Sequence, residues 1–432
     1  MTLKRQDRNF GASSAQRLRG IGMFACVLIL ATMAAQSAQA QSLTVLYTFM
    51  GGTDGGHPRE NALTLDATGN IYGVTSENGN LGCTTSCGNV FKLDPLGNLT
   101  TLHTFSGVDG SSPAFSGVVL DSAGNLYGTT ASGTGKLSHG VAYKLSPIGQ
   151  ETVLYNFPTK PGDSKLPESG VVLDPAGKIY GTTQQGGGTG CRGYGCGTVF
   201  IIDPKTGNKT TVLFNEKVRG PWTLTRSASG VLYGTTFTGG GGGCLVGCGS
   251  VFKVDTSGKL SLLYAFKGAP NDGAVPFAPV ILDKAGNLYG VTGVGGNSTA
   301  CGIGTGCGIV YKIDKAGHET VLYTFQGGSD GAQPQGSLAL DLAGNLYGTT
   351  VSGGVSAHCG GCGTIYKLDK AGNHTVLYNF DNGTDGAGPI GLVRDNAGDL
   401  YGATAQGGFT GGTGICQALY GGCGVVFKLA PH

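Results

Sequence analysis

The chain has 432 residues, with 28 Lys and Arg against 26 Asp and Glu and a formal net charge of +2, which excludes the clustered basic footprint of a nucleic-acid binder. Glycine supplies 83 residues and charged residues only 12%, against usual shares of about 7% and about 25%. No Gly-X-Y period is present, so collagen is excluded, and a turn-rich all-β chain remains, because glycine supplies the φ > 0 positions of tight turns.

Residues 1–40 read as a cleaved signal peptide. Lys4, Arg5, Arg8, Arg17 and Arg19 form a basic start, an apolar run follows from Ile21 to Ala35, and Ala38-Gln39-Ala40 has the small-x-small pattern of a cleavage site. The run is short for a membrane span of about 20 residues, although an uncleaved anchor is the other reading of it. Cys26 lies early in the run, which argues against a lipid-modified terminus. The mature chain therefore starts near Gln41 and carries no transmembrane segment.

From Ser42 onward one motif recurs. It reads Asp341-Leu-Ala-Gly-Asn-Leu-Tyr-Gly-Thr-Thr350 in its clearest copy, and its Tyr-Gly pair falls at Tyr72, Tyr127, Tyr180, Tyr233, Tyr289, Tyr347 and Tyr401, 53 to 58 residues apart. A period of that size marks a repeat architecture. Each unit holds four strand-like runs, exemplified by Thr320–Phe325, Ser337–Asp341, Asn345–Thr350 and Thr364–Asp369, each bounded by Gly, Asp, Asn or Pro. Several runs are apolar on both faces, as in Thr44–Phe49, which suits a sheet packed between two others. Seven such units predict an all-β, seven-bladed β-propeller of four-stranded antiparallel blades over residues 41–432; a solenoid would need a shorter period. The array opens with a first run and ends, at Val425–Leu429, with a fourth. The second run is expected innermost, so Ser42–Phe49 should close the ring by pairing with the C-terminal blade.

In such a meander the short turns (Asp341 to Asn345, Asp369 to Asn373) share one face, and two longer loops per blade share the other. Long loops on a rigid scaffold are where function concentrates. One loop type carries all twelve cysteines of the mature chain: Cys83/Cys87, Cys191/Cys196, Cys244/Cys248, Cys301/Cys307, Cys359/Cys362 and Cys416/Cys423. Variable spacing and the lack of a recurring His disfavour zinc, so six within-loop disulfides of an exported chain are expected. Cys359-Gly-Gly-Cys362 could alternatively be redox-active. The other loop type carries Asp54, Asp109, Asp272, Asp330 and Asp385, either as calcium-binding carboxylates or, with one carboxylate per loop, as Asp-Gly turn formers. The repeated Asp66, Asp121, Asp174, Asp283, Asp341 and Asp395 are read as hairpin formers, the seven tyrosines as inter-blade packing with satisfied hydroxyls, and the Lys of the fourth run as solvated.

Histidines fall at unrelated repeat positions, and no Gly-x-Ser-x-Gly, His-Glu-x-x-His or phosphate loop occurs. One unit departs from the pattern: Glu216 stands where others have Phe, the loop contracts to Lys217–Pro221, and the single Trp, Trp222, follows. Arg226 and Arg394 occupy positions that are Leu in most copies. Trp222, Arg226, Arg394 and the five loop aspartates are thus the ligand-binding candidates, with drift in a tolerant blade as the competing reading.

The unit Val-Leu-Tyr-Thr-Phe-x-Gly-Gly-x-Asp-Gly-x-x-Pro, continued by Asp-x-x-Gly-Asn-Leu-Tyr-Gly-Thr-Thr and Gly-x-Val-Phe-Lys-Leu, resembles the bacterial choice-of-anchor tandem repeat GloVer family from Thr44 to Leu429. The resemblance implies an exported bacterial repeat protein and carries no established activity. Relatives often end in a surface anchor, whereas this chain ends Leu-Ala-Pro-His432 without an apolar tail, so attachment by that route is not expected. The functional expectation is a monomeric, periplasmic or extracellular, non-catalytic propeller that binds an unknown protein or glycan through its long-loop face, without metal or cofactor. The alternative is a secreted lyase or hydrolase with a site at the channel mouth.

Overall fold

A computed structural model describes residues 41–58, 63–76, 87–113, 117–133, 139–158, 163–302, 305–408 and 421–430. The signal-peptide expectation for residues 1–40 lies outside them. Seven antiparallel blade sheets follow one another in the chain, each running from an inner strand to an outer strand. Blade 6 is representative, with Ala339–Leu340, Leu346–Thr350, Thr364–Leu368 and His374–Asn379 in spatial order. Blades 1 to 5 span residues 64–104, 111–156, 172–213, 218–265 and 281–324, and blade 7 starts at Ala387. The outer strand of blade 7 is Leu43–Thr48, paired antiparallel from Leu43 opposite Leu429 to Thr48 opposite Val425. The ring is closed by the N-terminal strand, as the order of runs predicts.

Each third strand has an aromatic residue directly opposite the Gly of Tyr-Gly, as in Gly348 opposite Tyr366 and Gly73 opposite Phe91. A Cβ on Gly73 would sit 2.8 Å from Phe91 Cε1, so the glycine is there for space: the ring lies across its backbone. The edge of that ring then meets a buried Phe at the end of the preceding blade's outer strand, with centroids 4.9–5.3 Å apart in all seven pairs from Phe49–Phe91 to Phe380–Phe427. This aromatic belt is an inter-blade contact repeated around the whole ring. Because Phe49 directly follows the N-terminal strand, the belt also spans the closure.

Six outer strands reach that Phe through a β-bulge, for example between Val45 and Tyr47. The outer strand of blade 3, Lys209–Leu213, keeps a continuous register. This corrects the reading of Glu216: with no bulge the chain is shorter there, Phe214 fills the Phe position against Phe252, and Glu216 is exposed.

The inner hairpins show why Asp and Tyr recur together. Asp121 Oδ1 accepts the backbone N–H groups of Ala123 and Asn125, and Oδ2 accepts the Asn125 amide and, at 3.0 Å, the Tyr127 hydroxyl. The same tyrosine bond forms at Asp66, Asp174, Asp283, Asp341 and Asp395. Partial burial of Asp66 opposes ionisation, but the hydrogen bonds from Asn70 and Thr68 prevail and hold its pKa at about 2. The recurring lysine is half-buried rather than fully solvated. In five blades its ammonium lies 5.5–6.0 Å from the Tyr ring centroid on the neighbouring strand.

Candidate functional site

The long-loop face is built on a repeated backbone clasp. Every crossover into a new blade passes through a residue with φ between 49° and 62°, at His57, Ser112, Leu166, Gly220, Val275, Gln333 and Gly388, and each is followed by proline. Five are not glycine, so the left-handed conformation costs about 1–2 kcal/mol each. Part of that cost is recovered where the residue's N–H donates to the carbonyl of the second cysteine of the preceding blade. Six such bonds, of 2.8–3.1 Å, link His57, Ser112, Gly220, Val275, Gln333 and Gly388 to Cys423, Cys87, Cys196, Cys248, Cys307 and Cys362. The cysteine loop and the inter-blade loop are thereby fastened together.

Four expected disulfides are present, Cys191–Cys196, Cys244–Cys248, Cys301–Cys307 and Cys359–Cys362. Cys87 and Cys423 are also disulfide-bonded; Cys83 and Cys416 lie outside the described residues.

The five loop aspartates turn inward. Asp54, Asp272, Asp330 and Asp385 each accept the hydroxyl of the outer-strand tyrosine beside them (Tyr47, Tyr264, Tyr323, Tyr378) at 2.8–3.1 Å, and a backbone N–H of the turn at 2.8–3.0 Å. Burial first, then the Asp54 charge, raises Tyr47 to about 12. At Asp109 the tyrosine is replaced by His103. These carboxylates hold their own loops in shape and are spread over five blades.

The remaining candidates separate along the inner strands. Arg226 closes the nine-residue strand Val218–Arg226 at its short-turn end; a Cβ on Gly230 of that turn would be 3.3 Å from its Nη2. Arg394 sits likewise beside Gly398, at a short-turn cleft shared with Asp66, Thr68 and Tyr401. Trp222 lies at the middle of the same strand, four residues from Arg226, so the structure groups it with neither arginine.

Around Trp222 the symmetry of the long-loop face breaks. Its ring lies 6.0 Å from Phe237 and 6.1 Å from Phe277, and those two lie 5.2 Å apart. All three are half-buried. Trp222 and Phe277 each follow the clasp proline of blades 4 and 5, where blades 3, 6 and 7 have Glu168, Gln335 and Ile390. Phe237 follows the Thr-Thr pair, where the equivalents are Ser76, Ala131, Gln184, Gly293, Val351 and Ala405. Phe237 also borders a cleft of about 430 Å³ between blades 3 and 4, with Gln184, Gln185, Arg192, Tyr194 and Arg219 on its walls. Tyr194 is 69% exposed. Arg219 is fixed by donating to the Val246 carbonyl at 2.9 Å and by Glu216 at 3.7 Å, and Glu216 also accepts the Cys191 N–H. Sequence reading singled out Trp222 but missed Phe237, Phe277 and Arg219. A comparison of equivalent repeat positions would have revealed both phenylalanines, since their counterparts are smaller or aliphatic.

No curated protein is detectably similar in sequence. Among solved structures, a streptogramin B lyase shares the fold with a TM-score of 0.56 at 13% identity, over 91% of this chain and 99% of that one. A catalytically inactive virginiamycin B lyase from Staphylococcus aureus with quinupristin gives 0.57 at 14%, over 90% and 99%. The extracellular domain of a hybrid two-component system from B. thetaiotaomicron gives 0.53 at 11%, over 90% of this chain and 41% of that one. At these identities the likeness is one of fold. The Gloeobacter/Verrucomicrobia repeat model matches residues 32–194, 175–354 and 298–432, and the chain belongs to that repeat family.

Proposed function

We propose that this protein is an exported, non-catalytic binding propeller that takes a glycan chain or a segment of a partner protein on its long-loop face, at the wall formed by blades 3 to 5. Export is supported by the basic, apolar and small-x-small pattern of residues 1–40 and by disulfides, which persist in oxidising compartments. The observation that carries the binding reading is the Trp222–Phe237–Phe277 cluster beside the blade 3–4 cleft. Aromatic faces next to a few placed polar groups are how concave sites gain both affinity and orientation. A glycan fits best, because the cleft is concave and offers amide and guanidinium donors next to the rings rather than a broad flat apolar face. Its described lining holds stacking and hydrogen-bonding groups and no histidine, which supports holding a ligand over transforming it.

The test is binding of the mature chain to a panel of bacterial and plant polysaccharides and to peptides from exported proteins, with recovery of the ligand afterwards. Trp222→Ala and Phe277→Ala should each weaken binding about 30-fold, the scale of a hot-spot residue worth about 2 kcal/mol. Arg226→Ala, on the other face, should leave it unchanged. Binding indifferent to both aromatic variants would overturn the site, and recovery of a cleaved ligand would replace the reading with the lyase or hydrolase alternative.

A further inference from the structure

The outer strand of blade 1 carries His103 where five other blades carry tyrosine. Opposite it, the outer strand of blade 2 begins with Glu151, and Asp109 comes from the loop between them. His103 Nε2 is 3.1 Å from Asp109 Oδ2 and 3.9 Å from Glu151 Oε2, and the three side chains are 17%, 22% and 13% exposed. One ligand atom from each residue falls within 4.8 Å of the other two. We propose that His103, Asp109 and Glu151 form a binding site for one divalent transition-metal ion of the zinc class, bridging blades 1 and 2.

Four features support it. Zinc bonds of 2.0–2.2 Å in tetrahedral geometry hold ligand atoms about 3.3–3.6 Å apart, so the two spacings to His103, 3.1 and 3.9 Å, need only sub-ångström adjustment. The ligands are already oriented: the Ser106 N–H and hydroxyl bind Asp109 Oδ1 at 2.8 and 3.0 Å, turning Oδ2 towards His103, and the imidazole packs edge-on to Phe105 at 4.8 Å. Such outer contacts fix first-sphere ligands in metal sites. Glu151 Oε1 is buried without a hydrogen-bond partner among the described residues, an uncompensated acceptor beside a second carboxylate. One imidazole with two carboxylates suits zinc or manganese over calcium, which takes six to eight oxygens. Three protein ligands leave a fourth position for water.

Blade 5 supplies an internal control. Glu319 holds the position of Glu151 but faces Tyr264, Asp272 and Lys267, so that corner has a tyrosine and an ammonium in place of the imidazole.

The experiment is calorimetric titration of untagged mature chain, stripped with EDTA, using zinc, manganese and calcium chlorides in turn. One zinc ion should bind with micromolar or tighter affinity, calcium should bind at least 100-fold more weakly, and zinc should raise the melting temperature. His103→Tyr restores the residue of the other blades, so it should fold with an EDTA melting temperature near that of the parent while losing at least 100-fold in zinc affinity. Glu151→Gln should weaken zinc comparably, and Ser106→Ala by about 10- to 100-fold. Glu319→Gln, His318→Ala and His358→Ala, the last two in exposed His–Asp pairs, should not alter it. No zinc binding to the parent, or undiminished binding by folded His103→Tyr, would overturn the proposal.

Discussion

A single methyl group at Gly348 tests how the blades are packed. An added Cβ would overlap Tyr366 Oη and lie 2.6 Å from Tyr366 Cζ and 2.8 Å from Leu338 Cδ2. The ring cannot withdraw, because Tyr366 is fully buried and packs on Phe325 at 5.2 Å. Over-packing a core of this kind costs about 1–3 kcal/mol, and the lower chain entropy of alanine returns only about 0.5–1 kcal/mol, so Gly348→Ala should destabilise by about 1–2 kcal/mol. Tyr366→Ala alone should cost about 3–5 kcal/mol as a large-to-small change. With the ring gone only the Leu338 methyl still crowds the added Cβ, and it can turn into the vacated space, so the double variant should fall short of the sum by at least about 1 kcal/mol. Gly177→Ala separates space from backbone: φ is +86° there and nothing lies within 4 Å of a Cβ, so it should show only the left-handed penalty of about 1–2 kcal/mol and no coupling to Tyr366. Denaturant midpoints of the four proteins give the cycle. Additivity within about 0.5 kcal/mol, or a neutral Gly348→Ala, would show that the ring does not sit on the glycine.

Other consequences are equally direct. Tyr143, Tyr311 and Tyr366 bury hydroxyls without partners among the described residues, at a position where other blades have Phe91, Phe200, Phe252 or Phe427. Each Tyr→Phe change should therefore be neutral or stabilising by up to about 1 kcal/mol, and a loss above 1 kcal/mol in thermal melts would mean the hydroxyl is used. Removing residues 42–49 deletes the closing strand and the Phe49–Phe91 contact, so the melting temperature should fall sharply; an unchanged melt would refute closure by that strand. Burial, reinforced by Asp272 and opposed by Lys267, raises Glu319 to about 7. A raised folded-state pKa gives stability that is full below the unfolded value of about 4.3 and is lost as pH rises through the folded one. The melting temperature of the parent should thus decline from about pH 4.3 to 7 more steeply than that of Glu319→Gln, and parallel profiles would contradict the buried carboxyl.

How much was legible depended on whether a residue's role was local or depended on register. The Asp-x-x-Gly-Asn-Leu-Tyr turns and four of the six within-loop cysteine pairs are local, and the structure follows them; the closing of the ring was legible from the order of runs. Glu216 was misaligned because the bulge that lengthens six outer strands is missing from blade 3, and no side chain in Lys209–Leu213 announces it. Trp222 and Arg226 were grouped because both break the pattern, yet four residues of strand at about 3.3 Å each carry Arg226 to the short-turn end. Phe237 and Phe277 drew no notice in the sequence, since 40 residues separate them and only the adjacency of blades 4 and 5 brings their side chains together. The clasp prolines recur visibly in the sequence, but the left-handed residue before each one, as different as His57 and Leu166, has no common side chain to mark it.

The most direct test of the binding site uses the fact that Trp222 is the chain's only tryptophan, so emission excited at the red edge, where tyrosine does not absorb, reports on that site alone. Titration with a polysaccharide or peptide retained by the mature chain should shift or quench the emission along a saturable curve, with the same Kd as calorimetry. Full binding by calorimetry with no change in Trp222 emission would contradict the proposal that the blade 3–5 wall holds the ligand.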